Sequence, residues 1–154
     1  MKNLVIRKAR LGDEEKVLNL VKEVLEPYGL ELNPIGEDLD ITDISKYYME
    51  NGGDFEVIEF RGSIIGSYGI YKIDSDTCEL RKMYLKKNFQ GMGLGNIMIE
   101  NSFKIAKSLG YKRMILQTNS LLYKATKLYK KYGFEELKEE VCKRCDLAMF
   151  RDIA

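Results

Sequence analysis

The sequence predicts a mixed α/β (α+β) domain, a sheet of about six or seven strands flanked by about four helices. Three observations carry the prediction. Apolar periodicity switches along the chain between about two and about 3.6 residues. Glycine or proline stands at the ends of most periodic runs. At 154 residues the chain can bury a core without staples, and no repeat, low-complexity tract or linker divides it, so residues 1–154 read as one domain.

Leu4 to Arg10 alternates apolar and polar residues and reads as a strand, with Asp13 a candidate N-cap for the helix that follows. Val17, Leu20, Val21, Val24 and Leu25 recur at helical spacing, an apolar stripe that Pro27 ends. Residues 29–43, GLELNPIGEDLDITD, read as a loop into a short helix around Ile44 to Met49. FEVIEF and SIIGSYGIYKI are β-branched and aromatic, and Arg61-Gly62 between them fits a two-residue hairpin turn. Thr77 to Leu85, TCELRKMYL, follows the turn at Asp74 to Asp76 and completes an antiparallel meander.

From Leu94 the period changes. Leu94, Ile97, Met98, Ile105 and Leu109 share one helical face, and Gly110 stands where a C′ glycine belongs. RMILQT, Arg113 to Thr118, is a short strand of buried type. Leu121 to Tyr132 then reads as a helix with Leu121, Ala125, Leu128, Tyr129 and Tyr132 on or near one stripe, closed by Gly133. Phe134 to Phe150 supports one or two further strands, CDLAMF the stronger.

Composition excludes several function classes. Lys plus Arg total 25 against 24 for Asp plus Glu, so no polyanion-binding surface and no nucleic-acid partner is expected. Arg7 and Arg10 interrupt the N-terminal apolar run before a signal-peptide core forms, and no apolar stretch approaches the roughly 18 residues of a membrane span. No membrane association is therefore expected. Three cysteines do not make a disulfide framework, which points to a reducing cytoplasm. Histidine is absent, which removes the commonest general base and the commonest transition-metal ligand; no metal is expected.

The segment QGMGLG, Gln90 to Gly95, lies between a strand and a helix and places backbone N–H groups at a helix N-terminus, where unpaired donors and the helix dipole favour an anion. A dinucleotide fingerprint would need glycine at position 96, which is Asn96, and a P-loop would need Gly-Lys-Ser/Thr, which Gly95-Asn96-Ile97 does not supply. Gln90, Gly93 and Gly95 instead fit Q/R-x-x-G-x-G/A after the strand CELRKMYL. About forty residues on, ATKLYKKYGF, Ala125 to Phe134, fits A-x-x-L-Y-x-x-x-G-F. Together these segments resemble the signatures of the GNAT superfamily of N-acetyltransferases, and the predicted element order resembles that family's fold from first strand to last. One departure is Leu122, where relatives often carry Asn.

The resemblance implies a central, mostly antiparallel twisted sheet and acetyl-CoA as co-substrate, without a metal. It places the pyrophosphate on the backbone of Gln90, Gly91, Met92, Gly93, Leu94, Gly95 and Asn96. Met83, Tyr84 and Leu85 would hold the pantetheine arm as an added pseudo-strand and polarise the thioester carbonyl. Tyr129 occupies the signature tyrosine that protonates the departing thiolate, and Glu79 matches the strand position of a general base. The acceptor is then a primary amine of a small molecule or peptide, attacked directly in a ternary complex; a homodimer is an allowed assembly. The alternative is a catalytically silent acyl-CoA-binding or sensor domain of the same fold.

Elementary chemistry agrees on the base. A primary amine is mostly protonated at neutral pH and must lose a proton before attack. Without histidine, Glu79 is the candidate, expected half-buried beside apolar strand neighbours unless it simply faces solvent or pairs with Lys82 or Arg81. An acetyl-cysteine route through Cys78 is disfavoured because alternate strand residues face opposite ways. Cys142 and Cys145 have too few partners for a zinc site and read as thiols. Glu31, Glu37, Asp38, Asp40 and Asp43 crowd the loop and second helix that wall the acceptor cleft in relatives, and would either welcome a cationic amine or serve as helix caps in a solvated loop. Tyr47, Tyr48 and Tyr71 are candidates to shape that pocket.

Overall fold

Alternating β-branched and aromatic residues become strands β1 (Leu4–Lys8), β2 (Asp54–Phe60), β3 (Ser63–Lys72), β4 (Thr77–Leu85), β5 (Arg113–Thr118), β6 (Glu135–Leu137) and β7 (Leu147–Asp152) in a computed structural model that describes residues 3–153. All seven join one sheet in the order β1-β2-β3-β4-β5-β7-β6. Neighbours are antiparallel except β4 and β5, which are parallel. That one parallel pair demands a crossover, and the segment after β4 supplies it as a helix. The hairpin between β2 and β3 turns at Arg61 and Gly62, with φ of 51° and 82°, the left-handed pair that a two-residue turn of this hand requires.

The helices are α1 (Glu14–Leu25), α2 (Ile44–Tyr47), α3 (Leu94–Ser108) and α4 (Tyr123–Lys131). On one face of the sheet, Val17, Leu20, Val21 and Leu25 of α1 pack with Ile41, Ile44 and Tyr48 against Phe55, Val57 and Ile64. On the other, Leu94, Met98, Ile99, Phe103 and Ala106 of α3 cover Ile58, Ile65, Tyr68, Leu80, Met114 and Leu116. The period-two alternation of β2 and β3 thus divides their side chains between two cores. Among the described residues, no helix is long and apolar enough to cross a membrane.

Several local expectations change. Asp13 precedes α1 but makes no capping bond. Its carboxylate instead accepts from Arg7 Nη1 at 2.7 Å, Arg7 Nη2 at 3.0 Å and the Arg10 N–H at 2.9 Å. The α3 face also rotates: Ile97 and Leu109 are 40% and 44% exposed, while Ile99, Ser102, Phe103 and Ala106 are buried. Ser102 can take a core position because its hydroxyl donates to the Met98 carbonyl at 2.8 Å. Pro27 falls in a short 3-10 turn, Glu26–Tyr28, just after α1. In α4 only Tyr129 is buried, and Leu121 lies before the helix and 51% exposed. That helix lines a cavity over much of its length, so its stripe meets open space as well as the sheet.

Candidate active site

β4 and β5 pair only where Thr77, Cys78 and Glu79 meet Arg113, Met114 and Ile115. Beyond Glu79, β5 stays bonded to β7 while β4 runs on without β5, leaving a wedge between two strands of one sheet. The cause lies in β4. Lys82 has φ of 54°, and the register with β3 shifts between Ser67 and Gly69. A left-handed conformation costs a non-glycine residue roughly 1–2 kcal/mol. Tertiary contacts hold it there. Lys82 Nζ donates to the Glu37 carbonyl at 2.9 Å and lies 3.1 Å from Asp40 Oδ1 and 3.4 Å from Asp38 Oδ1. Ser67 Oγ donates to the Lys82 carbonyl at 2.6 Å.

Two cavities open along this wedge. One, of about 260 Å³, is lined by Met83, Tyr84 and Leu85 of β4, by Gln90, Gly91, Gly93, Gly95 and Asn96, and by Leu122, Ala125 and Leu128. Gly91 and Gly93 have φ of 80° and 85°, so the glycine loop needs residues without a Cβ for its backbone as well as for access. Gly93 is the N-cap of α3 and supplies no side-chain bond to it. The Leu94, Gly95 and Asn96 N–H groups have no partner among the described residues. Gln90 braces the loop by donating from Nε2 to the Leu85 carbonyl at 2.9 Å. Asn96 Oδ1 is engaged by Tyr132 Oη and Lys131 Nζ, each at 3.1 Å.

Met92 and Leu94, expected to serve through their backbone, do not turn their side chains to this cavity. Met92 is 47% exposed and Leu94 is packed in the core, so only their backbone could serve an anion.

The second cavity, of about 310 Å³, shares Met83, Tyr84, Leu122 and Ala125 with the first and continues to Glu79, Arg81, Gln117, Asn119, Tyr129 and Arg144. Glu79 is 3% exposed, but its surroundings are polar rather than the apolar neighbours expected. Arg81 Nε donates to Oε1, and Gln117 Nε2 donates to Oε2 at 3.1 Å. The pairing with Arg81 is thus present, inside the cavity wall and not out in solvent. Gln117 Oε1 in turn accepts the Cys142 N–H at 2.7 Å, which fixes the orientation of its amide.

Tyr129 is 5% exposed, and its hydroxyl makes no hydrogen bond to the described residues. Burial, with Tyr84 nearby, raises its pKa well above the usual phenol value, and burial pushes Tyr84 up to about 12. Both phenols hold their protons at neutral pH. Tyr129 can therefore act as a donor.

The acidic loop divides: Asp43 is a helix cap and Glu37 lines the cavity, as the two expectations have it, whereas Asp38 and Asp40 are buried. Asp38 has no exposed surface and accepts from Arg144 Nη1 at 2.5 Å, from Arg144 Nη2 at 2.8 Å and from the Asn33 N–H at 2.8 Å. Burial opposes its ionisation, but these bonds and the Lys82 charge hold its pKa below the usual carboxylate range. Asp40 accepts from the Tyr48 hydroxyl and pairs with Lys82, and Asp43 caps α2 by accepting the Lys46 N–H at 3.2 Å. The two buried acids are thus consumed by internal cations, leaving Glu37 alone of the five to line the cavity. Tyr47 and Tyr48 pack beside α1, while Tyr71 stands opposite Glu79 in the β3–β4 register, with the Arg81 guanidinium 3.6 Å from its ring centroid.

Cys78 faces the opposite core, fully buried, with its thiol pushed up to about 12 by burial. Cys142 and Cys145 are not free thiols: a turn closed by the Cys145 N–H on the Cys142 carbonyl at 2.9 Å brings them together, and they are bonded as a disulfide. Gln117, Asn119, Arg81 and Arg144 were missed as site residues. The polar Gln117 inside the buried-type strand RMILQT was a readable signal, as was Arg81 two positions from Glu79. Arg144 had none.

The sequence pattern of the acetyltransferase (GNAT) family matches residues 18–134, and the chain belongs to that family. A relative in Escherichia coli, the uncharacterized N-acetyltransferase YjgM, is 30% identical over 138 residues, or 86% of this chain and 83% of that one. A GNAT-family acetyltransferase from Staphylococcus aureus superposes with a TM-score of 0.91 at 17% identity, covering 98% of this chain and 99% of its own. The Salmonella typhimurium protein yncA, solved with its cofactor acetyl-CoA, superposes at 0.77 with 17% identity, over 99% and 95% of the two chains. At such identities the two structures speak for the fold.

Proposed function

We propose that residues 1–154 form one catalytic unit that transfers the acetyl group of acetyl-CoA to a primary amine of a small molecule or peptide, by direct attack in a ternary complex. The observation that carries this reading is the shared wall of the two cavities at Met83, Tyr84, Leu122 and Ala125. A cofactor with its pyrophosphate on the N–H groups of the glycine loop and its arm along the free edge of β4 would bring its thioester toward Glu79 and Tyr129. Acetyl-CoA in the neighbouring Salmonella structure supports the choice of cofactor.

In this reading the acceptor ammonium gives a proton to Glu79, directly or through water. The freed amine forms a C–N bond to the thioester carbon. Backbone N–H groups of β4 left without a β5 partner stabilise the oxyanion. The C–S bond then breaks, the thiolate takes the Tyr129 proton, and the nitrogen gives its second proton to solvent as the amide forms; exchange with solvent restores the Tyr129 proton and the Glu79 carboxylate.

The test has two arms. At a 100-fold excess over its dissociation constant, acetyl-CoA should stabilise the protein by about 2.7 kcal/mol. Thiol release with a panel of amines should follow, and Glu79→Gln and Tyr129→Phe should lose turnover while keeping the acetyl-CoA shift. A protein with no shift is not a CoA enzyme, and one with the shift but no acceptor is a binding domain.

A further inference from the structure

The charged groups of the larger cavity say what kind of amine it takes, if the transferase reading of this site is right. Its lining carries Glu37, Glu79, Arg81, Lys82 and Arg144. Lys82 and Arg144 are turned to Asp38 and Asp40, with side chains only 7% and 12% exposed. Arg81 differs. Its Nε is committed to Glu79, but Nη1 is 3.9 Å from Asp40 Oδ2, and neither terminal nitrogen hydrogen-bonds any of the described residues. The side chain is 30% exposed, and stacking on the Tyr71 ring fixes the plane of its fork.

We propose that the acceptor is a free α-amino acid, its carboxylate held by the terminal N–H groups of Arg81 and its amine lying beside Glu79. Glu79 and Arg81 are alternate residues of β4, so their side chains share one face and form a carboxylate–guanidinium pair. An α-amino acid carries the complementary pair one carbon apart and can lie against it with opposite charges matched. A polyamine or simple alkylamine leaves the Arg81 fork unsatisfied. A planar guanidinium with free N–H groups recognises a carboxylate in two-point fashion, which a carboxamide cannot reproduce.

The experiment compares L-amino acids with their own carboxamides and with spermidine, by thiol release from acetyl-CoA and by melting of the CoA-loaded protein. The wild type should favour each amino acid over its amide in kcat/KM by at least about tenfold. Arg81→Gln should abolish that ratio, and Arg81→Lys, which keeps the charge and loses the fork, should leave a smaller one. Because a general disturbance of Glu79 slows both members of a matched pair alike, the ratio isolates the carboxylate contact. Equal use of acid and amide by the wild type, preference for spermidine, or a ratio unchanged in Arg81→Gln overturns the proposal. If nothing is acetylated but amino acids raise the melting temperature of the CoA-loaded wild type and not of Arg81→Gln, the subsite stands and the transferase reading falls. If amino acids neither react nor stabilise, the subsite is wrong.

Discussion

Gln117 and Glu79 are hydrogen-bonded across the mouth of the strand wedge, Nε2 to Oε2 at 3.1 Å, just beyond the last rung that joins β4 to β5. The bond aims the carboxylate from the side opposite Arg81. Gln117→Leu should therefore lower turnover by about tenfold, the scale of a hydrogen bond to a charged group, with little change in the acetyl-CoA melting shift. Steady-state kinetics beside a melt checks it. An unchanged kcat would show that Gln117 only fills space.

Tyr129→Phe separates chemistry from packing. The phenol has no hydrogen bond to lose among the described residues, so stability should stay within about 0.5 kcal/mol of the wild type. Turnover should nonetheless fall. A urea titration of both proteins, read with their kcat values, decides between a proton donor and a core tyrosine.

Asp38 should matter to the fold before it matters to catalysis. Asp38→Asn breaks a buried pair and leaves Arg144 uncompensated, while Lys82 keeps Asp40, at a cost of about 3–5 kcal/mol by denaturant unfolding.

The same pair sets an acid limit. Because the folded-state pKa of Asp38 lies below its ordinary value of 3.8, its stabilisation is fully present above that value and is lost as pH falls through the lower folded value. Asp13, held low against burial by Arg7 and the Arg10 N–H, adds a loss of the same sign. Melting temperatures should drop steeply below about pH 4, and the drop should be shallower in Asp38→Asn.

Gly93 has φ of 85° with open space where a Cβ would point, so replacement costs backbone strain without a clash. Gly93→Ala should destabilise by roughly 1–2 kcal/mol, and Gly93→Asn by less, since asparagine tolerates the left-handed region. Thermal unfolding of the two variants tests this ordering.

Much of this was legible because it is local. The hairpin at Arg61-Gly62, the strand Thr77 to Leu85 and the glycine loop before α3 each follow from a few adjacent residues, and the structure places them where the pattern does. The α3 stripe was misassigned because helical periodicity names a face without naming the sheet beneath it, and Ser102 could enter the core only by bonding back to Met98. The burial of Asp38 and Asp40 is hidden from the sequence for a similar reason. Whether Asp38 meets solvent or Arg144, 106 residues away, depends on contacts that no neighbouring residue encodes.

By itself the sequence determined the strands and helices, the family signatures, the absence of histidine chemistry and the nomination of Glu79, all set by local spacing and composition. Tertiary structure alone decided the wedge between β4 and β5, the Arg81 and Gln117 bonds on Glu79, and the neutralisation of the loop acids by Lys82 and Arg144. The reason is physical: backbone preferences act over a few residues, whereas charge pairing and cavity shape depend on distances in space between groups far apart in the chain.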